Sequence, residues 1–109
     1  MADRAQNFID GRWVEASGKA CLESLNPANK SEVLTTFPRS DHRDVDRAVE
    51  AARAAARQWA RAEPGLRHRV LRQAAESLAR RSEELATLIV RESGKLLPDA
   101  REEVLAAVE

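Results

Sequence analysis

Cysteine occurs once in the 109 residues, tyrosine never, and the aromatic set stops at two tryptophans and two phenylalanines. A lone Cys21 excludes an internal disulfide framework and points to a reducing compartment, so the cytoplasm is expected. Four glycines, Gly11, Gly18, Gly65 and Gly94, lie too far apart to form a phosphate-cradling loop. Two histidines, His42 and His68, with no second cysteine, fall short of the three or four ligands that a zinc site needs. No apolar run approaches the roughly 18 residues required to span a bilayer. Met1 to Phe8 carries Asp3 and Arg4 and lacks an apolar stretch, unlike a secretory leader. Eighteen basic side chains balance eighteen acidic ones, which removes any global attraction to nucleic acid or anionic membrane.

What remains is a modest soluble domain: 43% apolar residues, many of them alanine, and a mean hydropathy of -0.52. Alanine buries little area, so a thin core is expected. Composition changes at Pro38. Before it the residues are turn-rich and partly β-branched; after it Ala, Leu, Arg and Glu dominate. This divides the chain into a β ribbon, 1–38, and a helical segment, 39–109.

Phe8-Ile9 and Arg12-Trp13-Val14 flank Asp10-Gly11, a pair suited to the positive φ angles of a type I′ turn, which predicts a hairpin over 8–14. Cys21 to Leu25 reads as a strand ended by Asn26-Pro27, and Val33 to Phe37 as another closed by Pro38. Ser40 is the expected N-cap of a first helix, with Asp41 and Asp44 favouring its positive end. Val45, Val49, Ala52, Ala56 and Trp59 then form one stripe whose small members invite a close neighbour. Pro64 should open a second helix faced by Leu66, Val70, Leu71, Ala74 and Leu78. Ser82 is expected to cap a third, carrying Leu85, Leu88 and Ile89, which Gly94 stops in a left-handed conformation. Pro98 should begin a fourth, with Ala100, Val104, Leu105 and Val108 still in phase at Glu109, an ending read here as an interruption of the pattern.

Candidate chemistry is sparse. Cys21 has only Ala20 and Leu22 beside it, neither a base nor a cation, and is expected to be a packed strand residue. The histidines read as helix-surface residues. Glu50 with Arg53 or Arg57, and Glu63 with Arg67, have the spacing of solvated ion pairs. Arg43 and Arg47, then Arg53, Arg57 and Arg61, make i, i+4 rows that could hold a nucleic-acid backbone, but no aromatic residues interleave them as a stacking platform. The expectation is no nucleic acid and no membrane.

The order of the segments carries more than any one of them. Asn7-Phe-Ile-Asp-Gly-Arg-Trp-Val14, Ser17-Gly-Lys19 and Ser24-Leu-Asn-Pro-Ala28 resemble the opening of the NAD(P)-dependent aldehyde dehydrogenase superfamily. Asp44-Val-Asp-Arg-Ala-Val49, Ala51-Ala-Arg53, Trp59, Arg69-Val-Leu71, Glu84-Leu85, Glu92-Ser-Gly-Lys95 and Ala100 continue the likeness across nearly the whole chain.

The resemblance implies an α+β fragment: a hairpin and short strands followed by three to four helices, part of the Rossmann-like cofactor domain of a larger α/β subunit. It implies oxidation of an aldehyde to a carboxylic acid. A thiolate attacks the aldehyde, hydride passes to NAD or NADP, and a glutamate-activated water hydrolyses the thioester. The catalytic Cys, that Glu and the cofactor-binding loop have no counterparts here, so no catalytic or cofactor-binding residue is assigned, Cys21 included. The chain alone is expected to be silent and to bind no dinucleotide. Its implied partners are the rest of the subunit or an intact homologue, in a homo-oligomer. Some family members hold a structural sodium or potassium ion, and the matching positions are the carbonyls of Ser24 and Leu25 and the carboxylate of Glu92, where cation-binding members often carry Asp. The alternative function is a stand-alone helical interaction module docking on an intact dehydrogenase.

Overall fold

A computed structural model describes residues 4–109; the reading of Met1 to Phe8 as lacking a leader rests partly on residues 1–3, outside the described ones. The elements run β1 (Asn7–Ile9), β2 (Arg12–Val14), β3 (Cys21–Asn26), β4 (Asn29–Pro38), α1 (His42–Arg61), α2 (Pro64–Arg80), α3 (Ser82–Ser93) and α4 (Leu97–Val108). They fall into two compact units: residues up to Ser24 with Val33–Ala62, and Leu25–Glu32 with Glu63–Glu109.

In the first unit β1 and β2 pair antiparallel, with Phe8 opposite Trp13 and Ile9 opposite Arg12. Asp10 and Gly11 take φ of 53° and 72°, as the two central positions of a type I′ turn require. The rings of Phe8 and Trp13, 4.9 Å apart and tilted, make a cross-strand aromatic pair. The N-terminal segment continues along β4, where the Ala5 amide donates to the Thr36 carbonyl at 2.8 Å.

β3 and β4 form a second two-stranded sheet. β4 begins at Asn29, four residues before the expected Val33, because the reversal is tight. The Asn26 side chain accepts from the Ala28 amide at 2.9 Å, closing an Asx turn that lets pairing resume at once.

Two expected caps are corrected. Asp41, not Ser40, caps α1: its carboxylate accepts from the Arg43 amide, while Asp44 reaches back to the Asp41 amide, a capping box. Ser40 instead pairs its hydroxyl with the Asn7 side chain at 2.9 Å. Ser82 makes no side-chain cap to α3. Arg81 alone separates α2 from α3, ending one and starting the other at φ -107° and ψ 15°, so no extended residue precedes Ser82. Pro64 does open α2, with Glu63 accepting from the Gly65 amide, and Pro98 sits in the first turn of α4.

The helical unit holds what core there is. Ala86 and Ala100 are fully buried and Val104 nearly so, with Leu85, Ile89 and Val90 packed around them where α3 meets α4. Gly94 ends α3 at φ 71°, and a Cβ there would lie 3.2 Å from the Pro27 ring. Gly94→Ala therefore meets both a left-handed penalty and a crowded neighbour. It is expected to cost about 1–2 kcal/mol, seen as a fall of several degrees in Tm. An unchanged Tm would show that the turn accommodates a side chain.

Candidate functional site

Asp44 is the one buried charged residue among those described, 3% exposed. Its Oδ1 accepts from the Ser17 amide at 2.9 Å, the Ser17 hydroxyl at 2.8 Å and Arg47 Nη2 at 2.8 Å; its Oδ2 accepts from the Asp41 amide at 3.0 Å. These donors, led by the Asp41 amide, hold the carboxyl well below the usual carboxylate range, against a desolvation that would raise it. The cluster is fully satisfied, so it is a joint rather than a reactive centre. It fastens the 17–19 turn to the first turn of α1. The sequence showed Asp44 as a helix-dipole residue and Ser17 as a turn residue, but not their contact across 27 positions.

Other segments meet in the same way. Asn7 reaches Ser40 in the first unit, and in the second the Pro27 ring rests on Gly94. Motifs that are weak one at a time are thus joined pairwise by contacts.

The other candidates are scattered. Cys21 is exposed, not packed, because β3 pairs only with β4 and most of its side chains stay open; its thiol donates to the Lys19 carbonyl at 3.9 Å. His42 and His68 lie exposed on helices of different units. Among the described residues no three His, Cys, Asp or Glu side chains gather as metal ligands. Ser24 and Leu25 are consecutive on β3, and Glu92 is exposed in the last turn of α3. Ion pairs at helical spacing among the described residues include Arg47–Asp44, Arg72–Glu76 and Arg81–Glu84, and Arg101 of α4 pairs with Glu83 of α3. No described helix is long and apolar enough to cross a membrane.

Acidic side chains stand at the helix starts, where a dinucleotide phosphate would otherwise be attracted. A helix N-terminus attracts phosphate through unpaired amides, yet Asp41 and Asp44 occupy that of α1 and Glu63 that of α2. Glu83 and Glu84 stand in the first turn of α3, and Asp99 in that of α4.

What the surface offers instead is uncovered apolar area. Phe8, Ile9 and the Asp10-Gly11 turn line a groove with Ala48, Ala51, Ala52 and Ala55 of α1, which is the close approach that the small residues permit. Beside it Val45, Val49 and Trp59 remain 45–58% exposed. In the helical unit Leu71, Leu96 and Leu105 are at least 60% exposed.

The sequence profile of the aldehyde dehydrogenase family matches residues 13–109. The chain belongs to that family. It is 38% identical to the alpha-ketoglutarate semialdehyde dehydrogenase of Haloferax volcanii over all 109 residues, which are 23% of that protein. Among solved structures it resembles lactaldehyde dehydrogenase from Escherichia coli, with a TM-score of 0.93, 29% identity, and 99% of this chain on 22% of that one. It also resembles an NAD-dependent aldehyde dehydrogenase from Sinorhizobium meliloti, with a TM-score of 0.87, 34% identity, and 95% on 21%. The chain thus spans about a fifth of the length of these aldehyde dehydrogenases and corresponds to an N-terminal segment of the family. The two strand pairs and four helices are that segment's fold.

Proposed function

We propose that this chain is the N-terminal part of the cofactor domain of an NAD(P)-dependent aldehyde dehydrogenase that oxidises an aldehyde to a carboxylic acid. The observation that carries the proposal is a family match along residues 13–109 at a fifth of the relatives' length. Ribbon 1–38 and helical segment 39–109 both serve as a layer against the rest of that domain. The exposed Val45, Val49 and Trp59 support this. NAD or NADP, when bound, supplies the hydride acceptor. The residues of this chain do not hold it; they bury the flank of the domain that does. The full subunit is a cytoplasmic homo-oligomer.

Intact mass of the protein bearing this N-terminus in its native cell tests the reading. A chain of 12.1 kDa that is 23% of a relative's length scales to about 50 kDa, and such a species is expected. A 12.1 kDa species that co-purifies with a full-length dehydrogenase would favour the second reading, an interaction module, for which the same exposed face provides the docking surface.

The Ser24 and Leu25 carbonyls and the Glu92 carboxylate are hard oxygen donors and suit a monovalent cation in the full subunit, with a further ligand from outside this chain. In that subunit potassium is expected to raise Tm by a few degrees, and Glu92→Ala to abolish the rise. Potassium dependence that survives in the variant would remove Glu92 from the site.

A further inference from the structure

The hairpin tip, Leu25–Glu32, is the only part of the chain before Glu63 that belongs to the helical unit. Apolar packing does little to hold it there, since Leu25 is 41% exposed. Polar and close contacts do more. The Glu32 carboxylate accepts from Arg91 Nη2 at 2.5 Å through one oxygen and from Asn26 Nδ2 at 2.7 Å through the other. Two turns of chain are therefore tied through one side chain: Asn26 opens the reversal, Glu32 lies beyond it, and Arg91 stands in the last turn of α3. The Pro27 ring lies close to Gly94, just past the helix end, where a Cβ on the glycine would stand 3.2 Å from it.

We propose that residues 25–32 form a strap latched onto the C-terminal end of α3 by Glu32 and Arg91, able to open while the α3–α4 core stays folded. The core residues Ala86, Ala100 and Val104, and Leu85, Ile89 and Val90 packed around them, all lie on α3 and α4 and none in the strap. The latch is accessible, with Arg91 and Glu32 side chains 47% and 34% exposed, and a pair of that exposure is held weakly enough to break locally. This inference does not depend on the dehydrogenase reading.

Amide hydrogen exchange on the whole chain, followed by mass spectrometry, tests it. Glu32→Gln and Arg91→Gln are each expected to speed exchange in peptides covering 25–32 about fivefold, with peptides covering 82–108 unchanged. The double variant is expected to match a single one, because either change alone already opens the latch. Three results would overturn the proposal: no acceleration in the single variants, an acceleration shared equally by 82–108, or single effects that multiply in the double variant. The 82–108 peptides also report whether each variant remains folded.

Discussion

The purified 109-residue chain is expected to reduce neither NAD nor NADP with any aldehyde, at a detection limit set by the uncatalysed rate. Oxidation through a thioester needs a thiolate placed by a neighbouring base or positive field, a donor set for the developing oxyanion, and a site that holds the nicotinamide. Cys21 is the only thiol, and it stands exposed on β3, donating to the backbone carbonyl of Lys19. The carboxylates at or near the helix starts repel the phosphates that would bring a dinucleotide near. Rate enhancements of 10⁶ or more, usual for enzymes, are therefore expected to be absent rather than reduced. Initial-rate assays at 340 nm with short, long and aromatic aldehydes provide the check. Turnover that persists through purification and in Cys21→Ser would refute the account of what the chain lacks. The same preparation should bind an apolar-sensing dye, since the faces bearing Val45, Trp59 and Leu71 have nothing to cover them.

Asp44→Asn is expected to lower Tm by on the order of 10 °C at pH 7, the largest effect of any single conservative change in this chain. The carboxylate accepts four hydrogen bonds in a buried position. An amide has one oxygen, and its NH₂ would face the Ser17 or Asp41 amide, donor against donor. The pH dependence follows from the sign of the shift. The folded carboxyl titrates below its unfolded value, so its contribution is complete above the ordinary carboxylate range, near pH 4. As pH falls through that range the unfolded chain takes up a proton that the folded one refuses, and the contribution shrinks until the folded group is also protonated. The gap in Tm between parent and variant should therefore be constant from pH 8 to 5 and narrow by pH 3. Thermal melts followed by circular dichroism measure it. A gap that does not vary with pH would mean that Asp44 acts through shape rather than charge. The parent should itself weaken in acid, because arginines also hold Glu32, Asp41, Glu83 and Glu84 below their usual range.

Local chemistry was legible wherever one residue's backbone preference decides the outcome. Asp10-Gly11 named its own turn, Pro64 its helix start and Gly94 its helix stop, because φ preferences act within a few residues. Caps were less legible. Ser40 and Asp41 are both good caps, and the choice fell to Asp41 because Asn7, 33 positions earlier, engages the Ser40 hydroxyl. Cys21 misled in the opposite direction: free cysteine is usually buried, but burial needs a second layer, which β3 does not have here.

The sequence by itself determined the family, the element order and the thinness of the core, since motif order and alanine content are properties of the chain alone. Only the tertiary structure decided which motifs touch. The Ser17–Asp44 joint spans 27 positions and the Glu32–Arg91 latch 59. Contacts of that separation depend on how whole elements pack, and no local propensity encodes them. The uncovered faces of α1 and α2 follow from the same physics: a periodic apolar stripe states that a helix wants a partner, and only packing shows whether this chain supplies one.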